Sequence, residues 1–206
     1  MEAIIFDVDG TLWDSTEAVA KSWNLAIEEN TDLDMRVNAE QLKGLFGKPL
    51  DDIADILFPM LVEADRRILQ RHLYEYEHDM IEKEECYFYE GVKSVIPALS
   101  EKYKLFIVSN CQSGYIEAFL KVSGLGAYIT DFTCPGETNL LKGDNLKLIM
   151  QRNHLNSAIY VGDTQGDAEA CKIAGIPIIY ASYGFGSVQS PDYVIAGFSD
   201  LLILDF

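Results

Sequence analysis

Cationic side chains are scarce in this chain of 206 residues. Its 16 lysines and arginines face 33 aspartates and glutamates, for a formal net charge of −17. A field of that sign repels phosphodiester backbones and anionic headgroups, so neither nucleic acid nor a membrane surface is an expected partner. Long apolar runs are missing too. None reaches the roughly eighteen residues that a membrane helix needs. The opening residues Met1 to Asp7 carry no basic segment, so no signal peptide is expected. Cysteine is sparse: Cys86, Cys111, Cys134 and Cys171 stand far apart with no Cys-x-x-Cys pair. That excludes a zinc-ribbon pattern and a disulfide framework, and it fits free thiols in a reducing cytoplasm. With 49% hydrophobic and 24% charged residues, the chain is neither low in complexity nor disordered. Its length suits one large domain or two small ones.

Short apolar runs recur along the chain. Residues 3–6, 104–109, 158–162 and 176–180 read as buried strands, with weaker candidates at 129–134 and 193–196. Between them, residues 92–101, 115–122, 145–152 and 168–174 carry apolar side chains at three- and four-residue spacing, the mark of helices. Strands alternating with helices imply right-handed crossovers and a parallel sheet covered on both faces. Apolar runs without alternation fit strands buried on both sides.

Residues 15–86 break the rhythm. They hold no convincing strand and read as helices at 16–29, 39–45, 50–57 and 62–81, punctuated by Gly44, Gly47, Pro49 and Pro59. This predicts an all-helical insertion carried on an α/β core of residues 1–14 and 87–206. Residues 14–85 hold 8 basic and 18 acidic side chains. The acids read as solvated helix faces that favour solubility.

Four polar clusters sit where apolar strands end, the place where open α/β sheets bind ligands. Asp7-Val8-Asp9-Gly10-Thr11 sets two carboxylates two residues apart, which calls for a counter-ion. Ser109-Asn110 offers a hydroxyl and an amide to an oxyanion. Lys142, ahead of the helix expected near Asn145, offers a cation, and Asp144 is expected to cap that helix. Gly162-Asp163 with Asp167 adds two acids four residues apart. Each cluster alone has a plain alternative, a turn, a cap or a surface lysine. In this order they match metal-assisted transfer of a phosphoryl group to an aspartate, which depends on neutralising charge around phosphorus.

These residues resemble the haloacid dehalogenase-like hydrolase superfamily over almost the whole chain. Asp7-Val8-Asp9-Gly10-Thr11-Leu12 resembles its first motif, Ser109-Asn110 its second, Lys142 its third and Gly162-Asp163 with Asp167 its fourth. The helical insertion resembles the cap of the phosphoglycolate-phosphatase-like subgroup. The resemblance implies a Rossmann-like core and a phosphoric monoester hydrolase in which Asp7 attacks phosphorus and Asp9 serves as acid and base. It implies that Ser109, Asn110 and Lys142 bind the phosphoryl group. It also implies Mg²⁺ held by Asp7, the Asp9 main chain and Asp163, with Asp167 in support and Gly10 shaping the turn. Where many relatives follow the third-motif lysine with proline, this chain has Gly143-Asp144. Lys48, in the loop Gly44 to Pro49, is a candidate to contact substrate from the cap, and Trp13 is a candidate to line the pocket. The expected substrate is a small phosphorylated metabolite: phosphoglycolate, a sugar phosphate, a nucleoside monophosphate and pyrophosphate all fit. A phosphomutase acting on a sugar phosphate and a non-catalytic phosphate-binding protein are the alternatives. The expected assembly is a monomer or homodimer in the cytoplasm.

Overall fold

A computed structural model of the chain describes residues 1–84 and 86–206. Glu85, near the end of the expected helical insertion, lies outside them. The apolar runs form six parallel strands: β1 (Ala3–Phe6), β4 (Lys104–Val108), β5 (Ile129–Thr133), β6 (Ala158–Gly162), β7 (Ile178–Ala181) and β8 (Tyr193–Ile195). Their order is β5-β4-β1-β6-β7-β8, so β1 is flanked by β4 and β6. Side chains alternate between the faces. Ile4 and Phe6 enter one apolar cluster, while Ala3 and Ile5 enter the other with Phe106 and Tyr160. Both faces are covered by helices, which is why β1 shows no polar positions. The covering helices are α5 (Val92–Ser100), α6 (Tyr115–Ser123), α8 (Lys142–Arg152) and α9 (Gln165–Ala174). The expected α/β class is the one observed.

Between β1 and β4 the chain forms α1 (Thr16–Asn30), α2 (Ala39–Lys43), α3 (Leu50–Leu57) and α4 (Glu63–Ile81). α1 lies against α4. Its buried stripe includes Ala18, Val19, Trp23, Ala26 and Ile27. Two pieces of structure were not anticipated. A small antiparallel ribbon pairs β2 (Trp13–Asp14) with β3 (Tyr87–Phe88), joining the two ends of the helical insertion. A one-turn helix, α7 (Pro135–Thr138), follows β5. Among the described residues, no helix is long and apolar enough to cross a membrane.

The register fixes where the polar clusters meet. Phe6 pairs with Ile107 on one side and Val161 on the other. The residues just past these pairs therefore emerge side by side at one sheet edge. The chain moves outward from β1 through β4 to β5, then returns to β6 on the opposite side. Such a reversal opens a crevice at the carboxyl ends of the strands.

Candidate active site

Asp7 leaves β1 at the edge where β4 delivers Ser109 and β6 delivers Asp163, and all three are buried. Carboxylate oxygens of Asp7, Asp163 and Asp167 lie within 4.8 Å of one another. Lys142, 4% exposed, reaches into this group from the first turn of α8. Its Nζ donates to Asp167 Oδ1 at 2.6 Å and lies 3.1 Å from Asp7 Oδ1. The second contact is an ion pair without hydrogen-bond geometry, since Asp7 Oδ1 has no hydrogen-bond partner. Burial opposes the Lys142 charge, but Asp167 and Asp7 outweigh it and hold the ammonium protonated well above its ordinary range. Burial likewise pushes Asp7 up, while Lys142 and the Ser109 hydroxyl pull it back.

The acids differ in how far they are satisfied. Asp167 Oδ2 accepts from the Asp163 N–H, the Thr164 N–H and the Thr164 hydroxyl, while Oδ1 faces Lys142. It closes a capping box on α9 as well as holding the lysine. Asp163 Oδ2 accepts from the Phe185 N–H at 2.7 Å, but its Oδ1 is buried and unpaired. Gly10 and Gly184 form the wall around this carboxylate. A Cβ on Gly10 would come within 2.1 Å of Asp163 Oδ2, and one on Gly184 within 2.4 Å of Asp163 Cβ. Two buried carboxylate oxygens without a hydrogen-bond partner, on Asp7 and Asp163, suit a hard divalent cation with oxygen ligands. Asp167 has no oxygen to spare for one.

The Asp9 side chain turns away from this group. Its Oδ1 accepts from the Ser15 hydroxyl at 2.5 Å and the Tyr115 hydroxyl at 2.8 Å. It faces a narrow cavity and keeps some exposure, yet the surrounding protein strips most of its hydration. That desolvation raises its pKa to about 7 against the pull of the two hydroxyls. Repulsion from Asp7 contributes less, so burial rather than anionic crowding sets the shift.

The cavity, about 30 Å³, lies between the strand ends and the helical insertion. Asp7, Asp9, Ser109, Asn110 and Tyr115 form its floor, and Trp23, Phe46, Gly47, Tyr74 and Glu77 form its roof. Asn110 does not present a free amide to it: the Nδ2 donates to the Gly47 carbonyl at 2.8 Å, tying the second cluster to the roof. Lys48 is exposed and lines an outer groove with Thr164 and Phe185, away from this cavity. Trp13 is fully buried against Phe88, Tyr115 and Phe119, so it is a core residue and not a pocket wall.

The expected start of α8 near Asn145 is corrected to Lys142, with Leu141 at the N-cap. Asp144 is therefore in the first turn, paired with Lys147, and does not cap. Gly143 has a packing role. A Cβ there would approach Ile173 to 2.8 Å, so glycine lets α8 settle against α9 and brings Lys142 to the acids.

Glu77 and Tyr115 also line the cavity, and no sequence motif marks either of them. Glu77 is buried on α4, accepting from Trp23 Nε1 at 2.7 Å and Gln112 Nε2 at 2.9 Å, and burial raises its pKa to about 7. It was hidden among the many acids of the helical segment. Its only distinguishing signal was the apolar spacing of Leu69, Leu73, Glu77 and Ile81, which places it on the buried face.

Comparison with known proteins follows the same line. A family model described as "Haloacid dehalogenase-like hydrolase" matches residues 4–181. A phosphoglycolate phosphatase of Photobacterium profundum is 26% identical, with 97% of this chain and 93% of that protein aligned. The pyrophosphatase PpaX of Listeria innocua is 27% identical, over 98% of this chain and 94% of that protein. Among solved structures, a predicted phosphoglycolate phosphatase from Haemophilus somnus superposes with a TM-score of 0.85 at 22% identity, covering 98% of this chain and 97% of that one.

Proposed function

The chain belongs to the haloacid dehalogenase-like hydrolase family, and from that premise we propose that it is a Mg²⁺-dependent phosphatase of small phosphate monoesters. The observation that carries the reading is the pair of buried carboxylate oxygens on Asp7 and Asp163 that lack a hydrogen-bond partner, beside the buried Lys142 ammonium. Asp7 and Asp163 would hold the metal, with the Asp9 main chain, and the bound cation supplies charge neutralisation for the incoming ester.

An ionised Asp7 oxygen attacks phosphorus, and the bond from phosphorus to the ester oxygen breaks. Asp9 gives its proton to the departing oxygen, leaving an aspartyl-phosphate on Asp7. Asp9, now a carboxylate, takes a proton from water. The water oxygen attacks phosphorus, the bond to Asp7 breaks, and phosphate leaves. The sum is ester plus water giving alcohol plus phosphate. A pKa of about 7 keeps both forms of Asp9 populated near neutrality, as an acid that becomes a base requires. Ser15 and Tyr115 fix its carboxyl group in place. Lys142 balances Asp7 and the phosphoryl oxygens, Ser109 donates to them, and Asp167 orients Lys142.

Residues 15–86 form the cap domain in this reading, and residues 1–14 with 87–206 form the catalytic core. The narrow cavity represents the closed arrangement, so the cap must swing away to admit substrate. The site of action is the cytoplasm and the substrate is a small phosphorylated metabolite. Asp7→Asn tests the proposal. Release of phosphate from p-nitrophenyl phosphate should fall by roughly a thousandfold or more, with the fold retained by circular dichroism. Wild-type turnover in the variant would sink it.

A further inference from the structure

The roof of the cavity has no feature that suits an anionic leaving group. Among the described residues, no lysine, arginine or histidine lines the cavity. Lys142 faces Asp7 and Asp167 from the core side. The roof's charged group is Glu77, and it is buried without an ion-pair partner among the described residues. Its two hydrogen bonds come from neutral donors, the Trp23 indole and the Gln112 amide, one on each carboxylate oxygen. A carboxylate held this way has its geometry fixed and no cation beside it, so its charge is costly until a proton or a cation neutralises it. Trp23, Phe46, Tyr74 and Tyr115, four aromatic side chains, line the same small cavity as Glu77, with Asp9 at its floor.

Resting on the phosphatase reading above, we propose that the preferred substrates are phosphate monoesters of small amino alcohols, with the leaving group's ammonium seated against Glu77 among these aromatic side chains. Aromatic faces attract ammonium groups, and a carboxylate beside them completes the recognition. A glycolate carboxylate or a second phosphate would instead bring a negative charge toward Glu77 and Asp9 with no cation to offset it. A neutral polyol would find Glu77 as an acceptor but leave hydroxyls unpaired against the rings. The substrate classes named by the relatives, phosphoglycolate and pyrophosphate, are thereby disfavoured for this chain.

The test compares kcat/KM of the Mg²⁺-loaded protein at about pH 8, above the raised Glu77 pKa of about 7, for phosphoethanolamine, phosphocholine, glycerol 3-phosphate, phosphoglycolate and pyrophosphate. The ammonium esters should exceed glycerol 3-phosphate by roughly tenfold, and the two anionic substrates by more. In Glu77→Gln the ratio of ammonium ester to glycerol 3-phosphate should collapse toward one, chiefly through KM. An independent readout needs no turnover: phosphoethanolamine should raise the melting temperature of the Asp7→Asn protein, and phosphoglycolate should raise it less. The proposal is overturned if phosphoglycolate, pyrophosphate or glycerol 3-phosphate is preferred, or if Glu77→Gln leaves the ratio unchanged. Those outcomes leave the phosphatase reading intact. Failure to cleave any ester, p-nitrophenyl phosphate included, would instead remove the phosphatase reading, while the melting shifts of Asp7→Asn would still decide the ligand class.

Discussion

At the scale of single residues, burial makes the charge of Glu77 a cost to the folded chain. Glu77 rises from 4.5 to about 7 chiefly through desolvation. An acid with a raised folded-state pKa binds more protons folded than unfolded, so its contribution to stability is full below about pH 4.5 and is lost as pH climbs through about 7. Relative to wild type, Glu77→Gln should gain about 3 kcal/mol across that window. Urea unfolding of both proteins at several pH values, without added metal, measures the difference; parallel pH profiles would refute it. Lys142 poses the opposite case. Removing its ammonium leaves Asp7 and Asp167 buried with no counter-charge. Lys142→Ala should therefore cost about 3–5 kcal/mol as well as activity, checked by chemical denaturation. The sequence was most legible at this scale where a residue follows a strand: Asp7 and Asp163 stand just past β1 and β6, which the sheet register sets side by side, while Lys142 reaches them from the first turn of α8. Glu77 was not legible. Its carboxyl group reads as one more solvated acid until α1 and α4 bury it together.

Among the elements, the strands and most helices could be read from apolar spacing because each buries a continuous stripe. The β2–β3 ribbon could not, since two-residue strands carry no period. It is nevertheless where the helical insertion joins the core, and Trp13 is its anchor. The Trp13 ring packs edge-on against Phe119 with centroids 4.9 Å apart and also meets Phe88 and Tyr115. Trp13→Ala should cost about 3–5 kcal/mol, read from the midpoint of denaturant unfolding. Because Tyr115 also holds Asp9, the same variant should weaken turnover beyond what its stability loss explains. The start of α8 departs from the sequence pattern for a different reason. Asp144-Asn145 looks like a cap, but α8 begins at Lys142, and Gly143 lets it lie close to α9, a contact invisible in one segment alone.

For the whole molecule, the charge of −17 separates into two populations. Most acids are spread over the surface, while Asp7, Asp163 and Asp167 converge in the interior around a single lysine. A cation bound there stabilises the folded chain by mass action. Mg²⁺ at about a hundred times its dissociation constant should add about 2.7 kcal/mol, and a chelator should remove it. Differential scanning calorimetry follows the shift, which should shrink in Asp163→Asn; an equal shift in that variant would place the ion elsewhere. The central position of β1 has another consequence, which concerns time. β1 is synthesised well before its partners β4 and β6, which begin only at Lys104 and Ala158. During translation its apolar run waits unpaired, and Asp7 emerges long before Asp163 can join it. The nascent chain thus holds Asp7, Ser109 and Lys142 without Asp163 until β6 has been made, and the candidate site is complete only after that.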